Sequence, residues 1–249
     1  MKNLLKDRKI LISGIGKGLG KDMFYKCIDN GAYVYGFTRT KSDIKKIKKN
    51  YLKYSKIFIG DASNPKFIKK LFAYFLKNKI NLNGLINNAG QRQRKPFIDI
   101  SPNEISQIMN VNFMSPFLIS QHFVRQVSIN ENASIVNIGS IVGEYPFSEL
   151  TGYASSKSAI NGLTKSLSLE LANKEYNIRV NCINPGFTKT SYFKKFKANK
   201  ELYAWTLSKI SAGRWGQASE ISKLAIFLLS NKSLYINGQI ISADGGWKN

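Results

Sequence analysis

Tyr153 and Lys157 stand four residues apart in Tyr153-Ala154-Ser155-Ser156-Lys157, and Ser140 ends an apolar run shortly before them. On a helix, residues i and i+4 lie one above the other with Cβ atoms roughly 5–6 Å apart, so this spacing puts a phenol and an ammonium on one face. A tyrosine with the usual pKa of about 10 carries protons poorly at neutral pH, and a neighbouring cation stabilises phenolate and brings such a group towards the working range. A serine hydroxyl nearby can hold a substrate oxygen. Taken alone the pair is also the pattern of a solvated helix face, so its weight depends on the elements around it.

Those elements begin at the N-terminus. Lys9-Ile10-Leu11-Ile12-Ser13 is a short strand-like run that leads into Gly14-Ile15-Gly16-Lys17-Gly18-Leu19-Gly20 and then a helical pattern. Glycines there permit a tight turn and let backbone N–H groups approach a pyrophosphate, which the positive end of the following helix attracts. A second strand, Tyr33-Val34-Tyr35-Gly36-Phe37, follows at the distance a βαβ unit requires, which points to dinucleotide binding.

Further strands are expected near 56–59, 84–87, 134–139, 179–183 and 239–241, with amphipathic helices between them. The pattern predicts an α/β fold, Rossmann-type and doubly wound, with a mostly parallel seven-stranded sheet and helices on both faces. Ligands in such folds bind outside the carboxyl ends of the strands. There the motif residues cluster: Ser13 to Gly20, Asp61, Asn87 to Gly90, Ser140 and Pro185-Gly186.

Length and composition fit one compact domain over 1–249, since 249 residues can bury a full core and no linker or low-complexity tract interrupts them. The two cysteines, Cys27 and Cys182, lie far apart and form neither a metal spacing nor a disulfide framework, which fits a cytoplasmic location. The charged N-terminus is unlike a signal peptide, and no apolar run is long enough to span a bilayer. The net charge of +23 raises the question of nucleic acid. Much of it is lysine on surface-like helical positions, including Lys41, Lys45, Lys46, Lys48, Lys49 and Lys53, and no nucleic-acid-binding motif accompanies it. No membrane or specific nucleic-acid partner is expected.

With these motifs in place, the chain resembles the short-chain dehydrogenase/reductase family, in its branch of roughly 250-residue single-domain members. The resemblance runs from Ile10 to Trp247. It implies a cofactor loop of Ser13, Gly14, Lys17, Gly18, Leu19 and Gly20. Asp61-Ala62 would face the adenine, Asn88-Ala89-Gly90 would lie beside the adenosine ribose, and Pro185, Gly186, Thr188 and Thr190 would meet the nicotinamide carboxamide. Asn112 corresponds to the asparagine that supports a proton-relay water, and with Ser140, Tyr153 and Lys157 it completes the family's catalytic tetrad. The implied mechanism is hydride transfer at nicotinamide C4 with proton transfer through Tyr153. Ser140 would hold the substrate oxygen, and Lys157 would bind the nicotinamide ribose and act on the tyrosine. His122, the only histidine, lies away from the motifs and takes no catalytic role.

Charge bears on the cofactor. An NAD-selective site presents a carboxylate to the ribose 2′-hydroxyl at the end of the second strand, whereas a 2′-phosphate needs cations. That end reads Phe37-Thr38-Arg39-Thr40, without an acid, and Arg39 with Lys17 favours NADP(H) over NAD(H).

For the substrate, the segment from Gln91 to Phe97 resembles that of gluconate 5-dehydrogenase-like members, which brings Arg92 and Arg94 forward as substrate-binding cations. A lid is expected at about 187–214, carrying Lys189, Lys194, Lys195, Lys197 and Lys200. Together they suit a small sugar acid or polyol. The rival is a 3-oxoacyl-acyl-carrier-protein reductase, against which no Lys or Arg occurs between Arg125 and Lys157, although Lys174 remains a candidate docking cation. A non-catalytic nucleotide-binding regulatory protein is disfavoured by the full tetrad. The resemblance also implies a homo-oligomer, a tetramer, packed through 112–126, 151–174 and the C-terminal strand.

Overall fold

The computed structural model describes residues 3–190 and 193–248 and, for Lys194 and Lys195, the backbone. The chain runs β1 (Lys9–Ser13), α1 (Gly18–Asp29), β2 (Tyr33–Thr38), α2 (Lys41–Lys45), α3 (Lys49–Leu52), β3 (Ser55–Ile59), α4 (Pro65–Lys77), β4 (Gly84–Asn87), α5 (Pro102–Met109) and α6 (Ser115–Gln126). It continues with β5 (Ala133–Ile138), α7 (Thr151–Asn173), β6 (Ile178–Pro185), β7 (Thr188–Lys189), α8 (Phe193–Lys197), α9 (Lys200–Lys209), β8 (Gly216–Gln217), α10 (Ala218–Leu229) and β9 (Ile240–Ala243).

Seven strands form one parallel sheet in the order β3-β2-β1-β4-β5-β6-β9. Successive strand residues point to opposite faces, and every central strand has apolar residues on both. Ile10 and Ile12 face one layer with Val34, Ile86, Val136 and Ile138, where α1 and α10 supply Met23, Phe24, Cys27, Ala225 and Ile226. Leu11 faces the other with Tyr35, Phe37, Leu85 and Ile135, where α4, α6 and α7 supply Phe72, Phe75, Phe123 and Leu171. Burying a large apolar side chain contributes about 1.5–3 kcal/mol, so these two layers hold the sheet rigid at its centre.

Helix starts follow local chemistry. The Asn64 side chain accepts from the amides of Lys66 and Phe67 ahead of Pro65. Ser101 and Glu104 form a reciprocal capping box at α5. Between α5 and α6, the chain passes through a wider π turn over Asn110–Met114, which rotates α6 relative to α5 and turns Asn112 inwards.

β1 leads outwards through β2 to β3, and the chain returns to place β4 on the other side of β1. The strand order reverses there, which opens a crevice beyond the carboxyl ends of β1 and β4. β6 extends beyond its expected end to Pro185, paired with β9 through Pro185 and Ala243. No described helix is long and apolar enough to cross a membrane.

Candidate active site

A cleft of about 1060 Å³ opens over the carboxyl ends of the strands. Its floor is the glycine loop. Gly14 (φ +74°) and Gly18 (φ +57°) adopt backbone conformations that other residues rarely take. A Cβ on Gly14 would come within 3.0 Å of the Ala89 Cα, and one on Gly20 would run into the Gly14 carbonyl. α1 starts on the cleft with no side-chain cap and no acid in its first turn. Uncapped N–H groups at the positive end of a helix, beside a glycine cradle, suit the phosphates of a dinucleotide. The residues present therefore fit the cofactor that the sequence implied.

Lys17, Gly18 and Leu19 line the cleft with Thr38, Arg39, Asp61, Ala62, Asn88, Ala89 and Gly90 along one stretch. Pro185, Gly186, Thr188 and Thr190 line another, and Ser140, Tyr153 and Lys157 lie in the same space. Ser13 and Gly20 stand behind this surface. Ser13 is buried, and its Oγ accepts from the amides of Asn88 and Ala89, each at 2.9 Å. The Asn88 side chain donates to the Ser13 and Gly14 carbonyls at 3.0 and 2.9 Å. Ser13 thus ties β1 to β4 and shapes the loop from behind.

Ser140 sits in extended backbone just past β5, and its Oγ accepts from the Val142 amide at 3.2 Å. Its own N–H donates to Asn184 Oδ1 at 3.1 Å, while Asn184 Nδ2 donates to the Glu144 carboxylate at 2.9 Å. A carboxylate only accepts, so Glu144 fixes which way the Asn184 amide faces. The turn after Ser140 lies tight on α7. A Cβ on Gly143 would fall 2.9 Å from the Lys157 carbonyl carbon, and Ser158 Oγ donates to the Gly143 carbonyl at 2.6 Å. This contact sets Ser140 against the face of α7 that carries Tyr153 and Lys157.

Lys157 is 5% exposed. Its Nζ donates to the Ile138 carbonyl at 2.8 Å and lies 5.9 Å from the Tyr153 ring centroid. The i, i+4 spacing does put phenol and ammonium on one face, at the mouth of β5.

Asn112 lies behind the cleft surface. Fully buried, it does not line the cleft; its Oδ1 accepts from the Gln91 amide at 2.7 Å, and its Nδ2 donates to the Gln91 carbonyl and to Ser156 Oγ, both at 2.9 Å. Ser156 in turn donates to the Tyr153 carbonyl at 2.7 Å. The Asn112 side chain therefore clamps the segment after β4 to α7.

Several of the expected cations have partners. Arg92 and Arg94 both line the cleft, and Arg94 Nε lies 3.3 Å from the Glu149 carboxylate. Lys189 Nζ lies 5.5 Å from the Phe193 ring centroid and Lys197 Nζ 5.9 Å from that of Tyr203. Lys174 pairs with Glu170 at 3.1 Å. The side chains of Lys194 and Lys195 lie outside the described residues. His122 stacks on Phe72 with ring centroids 5.2 Å apart, and burial lowers its pKa, with Arg125 and Lys69 adding to the effect. Burial pushes the Cys182 thiol up to about 12. Neither is poised for chemistry, and no cluster of metal-ligating side chains occurs among the described residues.

Two features were not foreseen. Aromatic side chains, namely Phe147, Phe187, Phe193, Phe196 and Trp215, wall the cleft beside Tyr153; in the sequence they are scattered from 147 to 215 and have no common period. An acid also reaches the end of β2, where none had been found. Asp43, on α2, accepts from Thr38 Oγ1 at 3.0 Å and lines the cleft with Lys17 and Arg39. Its distance along the chain hid it. Arg39 itself pairs with Asp61 at 3.8 Å and is largely exposed.

Residues 14–248 match the family model described as Enoyl-(Acyl carrier protein) reductase. The chain is 33% identical over 245 residues to the 2-dehydro-3-deoxy-D-gluconate 5-dehydrogenase of Bacillus subtilis, covering 98% of this chain and 95% of that protein. It is 34% identical over 242 residues to the 3-oxoacyl-acyl-carrier-protein reductase of Buchnera aphidicola subsp. Schizaphis graminum, covering 97% and 98%. A gluconate 5-dehydrogenase from Burkholderia cenocepacia, solved in complex with NADP and tartrate, superposes with a TM-score of 0.91 at 26% identity, over 98% of this chain and 97% of that one.

Proposed function

Because the chain belongs to the short-chain dehydrogenase/reductase family and is an oxidoreductase acting on CH–OH groups, we propose that it uses NADP(H) to interconvert a secondary alcohol and a carbonyl on a small anionic sugar acid or polyol. The observation that carries the reading is the placing of Ser140, Tyr153 and Lys157 in one cleft with Arg92 and Arg94.

The dinucleotide would be held by Gly14, Lys17, Gly18 and Leu19 at its phosphates, by Asp61, Ala62 and Asn88 to Gly90 at the adenosine, and by Pro185, Gly186, Thr188 and Thr190 at the nicotinamide. Thr38, Arg39 and Lys17 would meet the ribose 2′-phosphate. When bound, the nicotinamide supplies or accepts the hydride. Tyr153 passes its phenolic proton to the substrate oxygen in reduction and recovers it in oxidation. Ser140 Oγ accepts from Val142 and no described residue takes its proton, which leaves that proton for the same oxygen. The Lys157 ammonium, anchored on the Ile138 carbonyl, stabilises negative charge on the phenol as its proton leaves. Asn112, as a clamp, holds the Arg92 and Arg94 segment against α7 so that substrate and proton donor keep one geometry. A substrate carboxylate would take the place of Glu149 at Arg94.

NADP(H) is supported by Arg39 and Lys17 and by the NADP in the Burkholderia relative. The tartrate in that complex is a small hydroxylated dicarboxylate, the chemistry expected here. The test is a screen over sugar acids, polyols and a 3-oxoacyl thioester with each dinucleotide, following reduced-nicotinamide absorbance. Turnover of a sugar acid or a carboxylate-bearing polyol, and poor turnover of neutral analogues that lack the carboxylate, are expected.

One observation favours a second reading, a 3-oxoacyl-acyl-carrier-protein reductase. The wall of Phe147, Phe187 and Trp215 suits an acyl chain. In that case the thioester turns over, and sugar acids and polyols do not.

We also propose that 1–249 acts as one domain, with α8 and α9 as a lid within 187–214. Copies would associate as a homotetramer through apolar residues left exposed on α6 and α7, Phe117 and Leu169, and beside β9, Leu234 and Tyr235.

A further inference from the structure

The end of β2 carries opposing charges. Thr38 is buried there, and its Oγ1 donates to Asp43 Oδ2 at 3.0 Å. The Asp43 carboxylate packs against Gly16, where a Cβ would collide with Oδ2 and approach the Thr38 hydroxyl to 2.8 Å. Gly16, Lys17, Thr38, Arg39 and Asp43 all line the same cleft. In the general dinucleotide fold, an acid at this strand end takes the ribose 2′-hydroxyl, whereas a nearby arginine accommodates a 2′-phosphate. Here the acid comes from the following helix, and both kinds of group are present together.

We propose that Asp43 is a specificity-determining residue that sets the balance between NADP(H) and NAD(H), accepting from the 2′-hydroxyl of the unphosphorylated ribose and opposing the 2′-phosphate that Arg39 and Lys17 attract. The inference rests on the reading of the cleft as a dinucleotide site. Asp43 lies in the first turn of α2, which buries none of its residues. Its carboxylate can therefore turn away from Thr38 at little packing cost when a phosphate binds. Arg39 then changes partner as well, since its pair with Asp61 is long and exposed. The site tolerates both dinucleotides, and the carboxylate holds back the preference that the two cations would otherwise give.

The test is a binding titration of the full chain, without substrate, against NADPH and NADH, followed by the fluorescence of the bound reduced nicotinamide. Wild type is compared with Asp43→Asn, Asp43→Ala and Thr38→Val. Removing a carboxylate beside the phosphate should tighten NADPH roughly 10-fold and weaken NADH several-fold, so the affinity ratio moves by at least about 10-fold. Asp43→Asn keeps the side-chain volume and guards against misfolding of the alanine variant. Thr38→Val breaks the tie but keeps the carboxylate, and, because it also removes a hydroxyl that would meet the 2′-phosphate, it should weaken NADPH, the opposite sign to the Asp43 variants. A ratio unchanged within twofold in both Asp43 variants would overturn the inference, as would Thr38→Val reproducing the whole shift. If wild type binds neither dinucleotide, the reading of the cleft falls and this inference with it.

Discussion

At the scale of single residues, Tyr153 has the sharpest role. Phenylalanine keeps the ring packed against the cluster of Ile141, Val142, Leu150 and Ala154 but removes the proton, so Tyr153→Phe should retain fold and dinucleotide binding and lose turnover by roughly 10²–10⁴, the usual scale for a positioned acid–base group. Turnover like that of wild type would refute the mechanism. Arg39 is a weaker lever because it is exposed and shared with Asp61. Arg39→Ala should weaken NADPH by roughly 10-fold and leave NADH nearly unchanged, as measured by titrating both. Ser140, Tyr153 and Lys157 were legible in the sequence because helical spacing and strand ends are local properties. Asn112 was named there as well, from the family motif, but its contacts with Gln91 and Ser156 were not; Asp43 was missed altogether, because it acts on Thr38 across a turn, and all of these contacts are supplied only by folding.

Among the elements, the seven sheet strands could be read from apolar runs too short for helices and bounded by turn residues; the five central strands are buried on both faces. α2 and α3 could not, since their lysine-rich segments bury nothing and carry no period. The π turn at Asn110–Met114 was equally hidden, because it is an offset in hydrogen bonding within one helical run. Where the segment 187–214 returns to the body, Glu220 grips Arg214 through two contacts of 2.9 and 2.7 Å and accepts from the Gln217 amide at 2.7 Å. The Arg214 guanidinium and that amide hold the Glu220 carboxyl well below the usual carboxylate range, at about 2. A carboxyl whose pKa is lower in the folded state adds stability above its unfolded value of about 4.3 and loses it as pH falls towards the folded value. Chemical denaturation of wild type should therefore show falling stability between about pH 4.3 and 2. Glu220→Gln should flatten that slope and, at neutral pH, speed proteolysis between Lys200 and Arg214. An identical acid slope in the variant would remove Glu220 as its source.

The whole molecule sets charge against apolar surface. At +23 per chain, copies repel one another at long range, and that repulsion is screened over about 8 Å at physiological ionic strength. Yet Leu169 is 64% exposed on α7, and Phe117 on α6 and Leu234 and Tyr235 beside β9 are also open. Apolar side chains of this size cost free energy in water, and a stable interface needs about 800 Å² from each partner, an area that clusters on two helices and one strand end can seed. The balance has a sign. Association of like-charged copies should tighten as salt rises, whereas docking of an acidic carrier protein on the same basic chain should weaken. Sedimentation velocity across a salt series should show the tetramer gaining over smaller species between low and physiological salt. Leu169→Glu puts a carboxylate into one proposed interface and should shift the population to a smaller species whose melting remains cooperative. Because the cleft lies at the carboxyl ends of the strands, away from Leu169, that smaller species should still bind NADPH. A wild-type chain that sediments as a monomer at every salt concentration would rule out the tetramer.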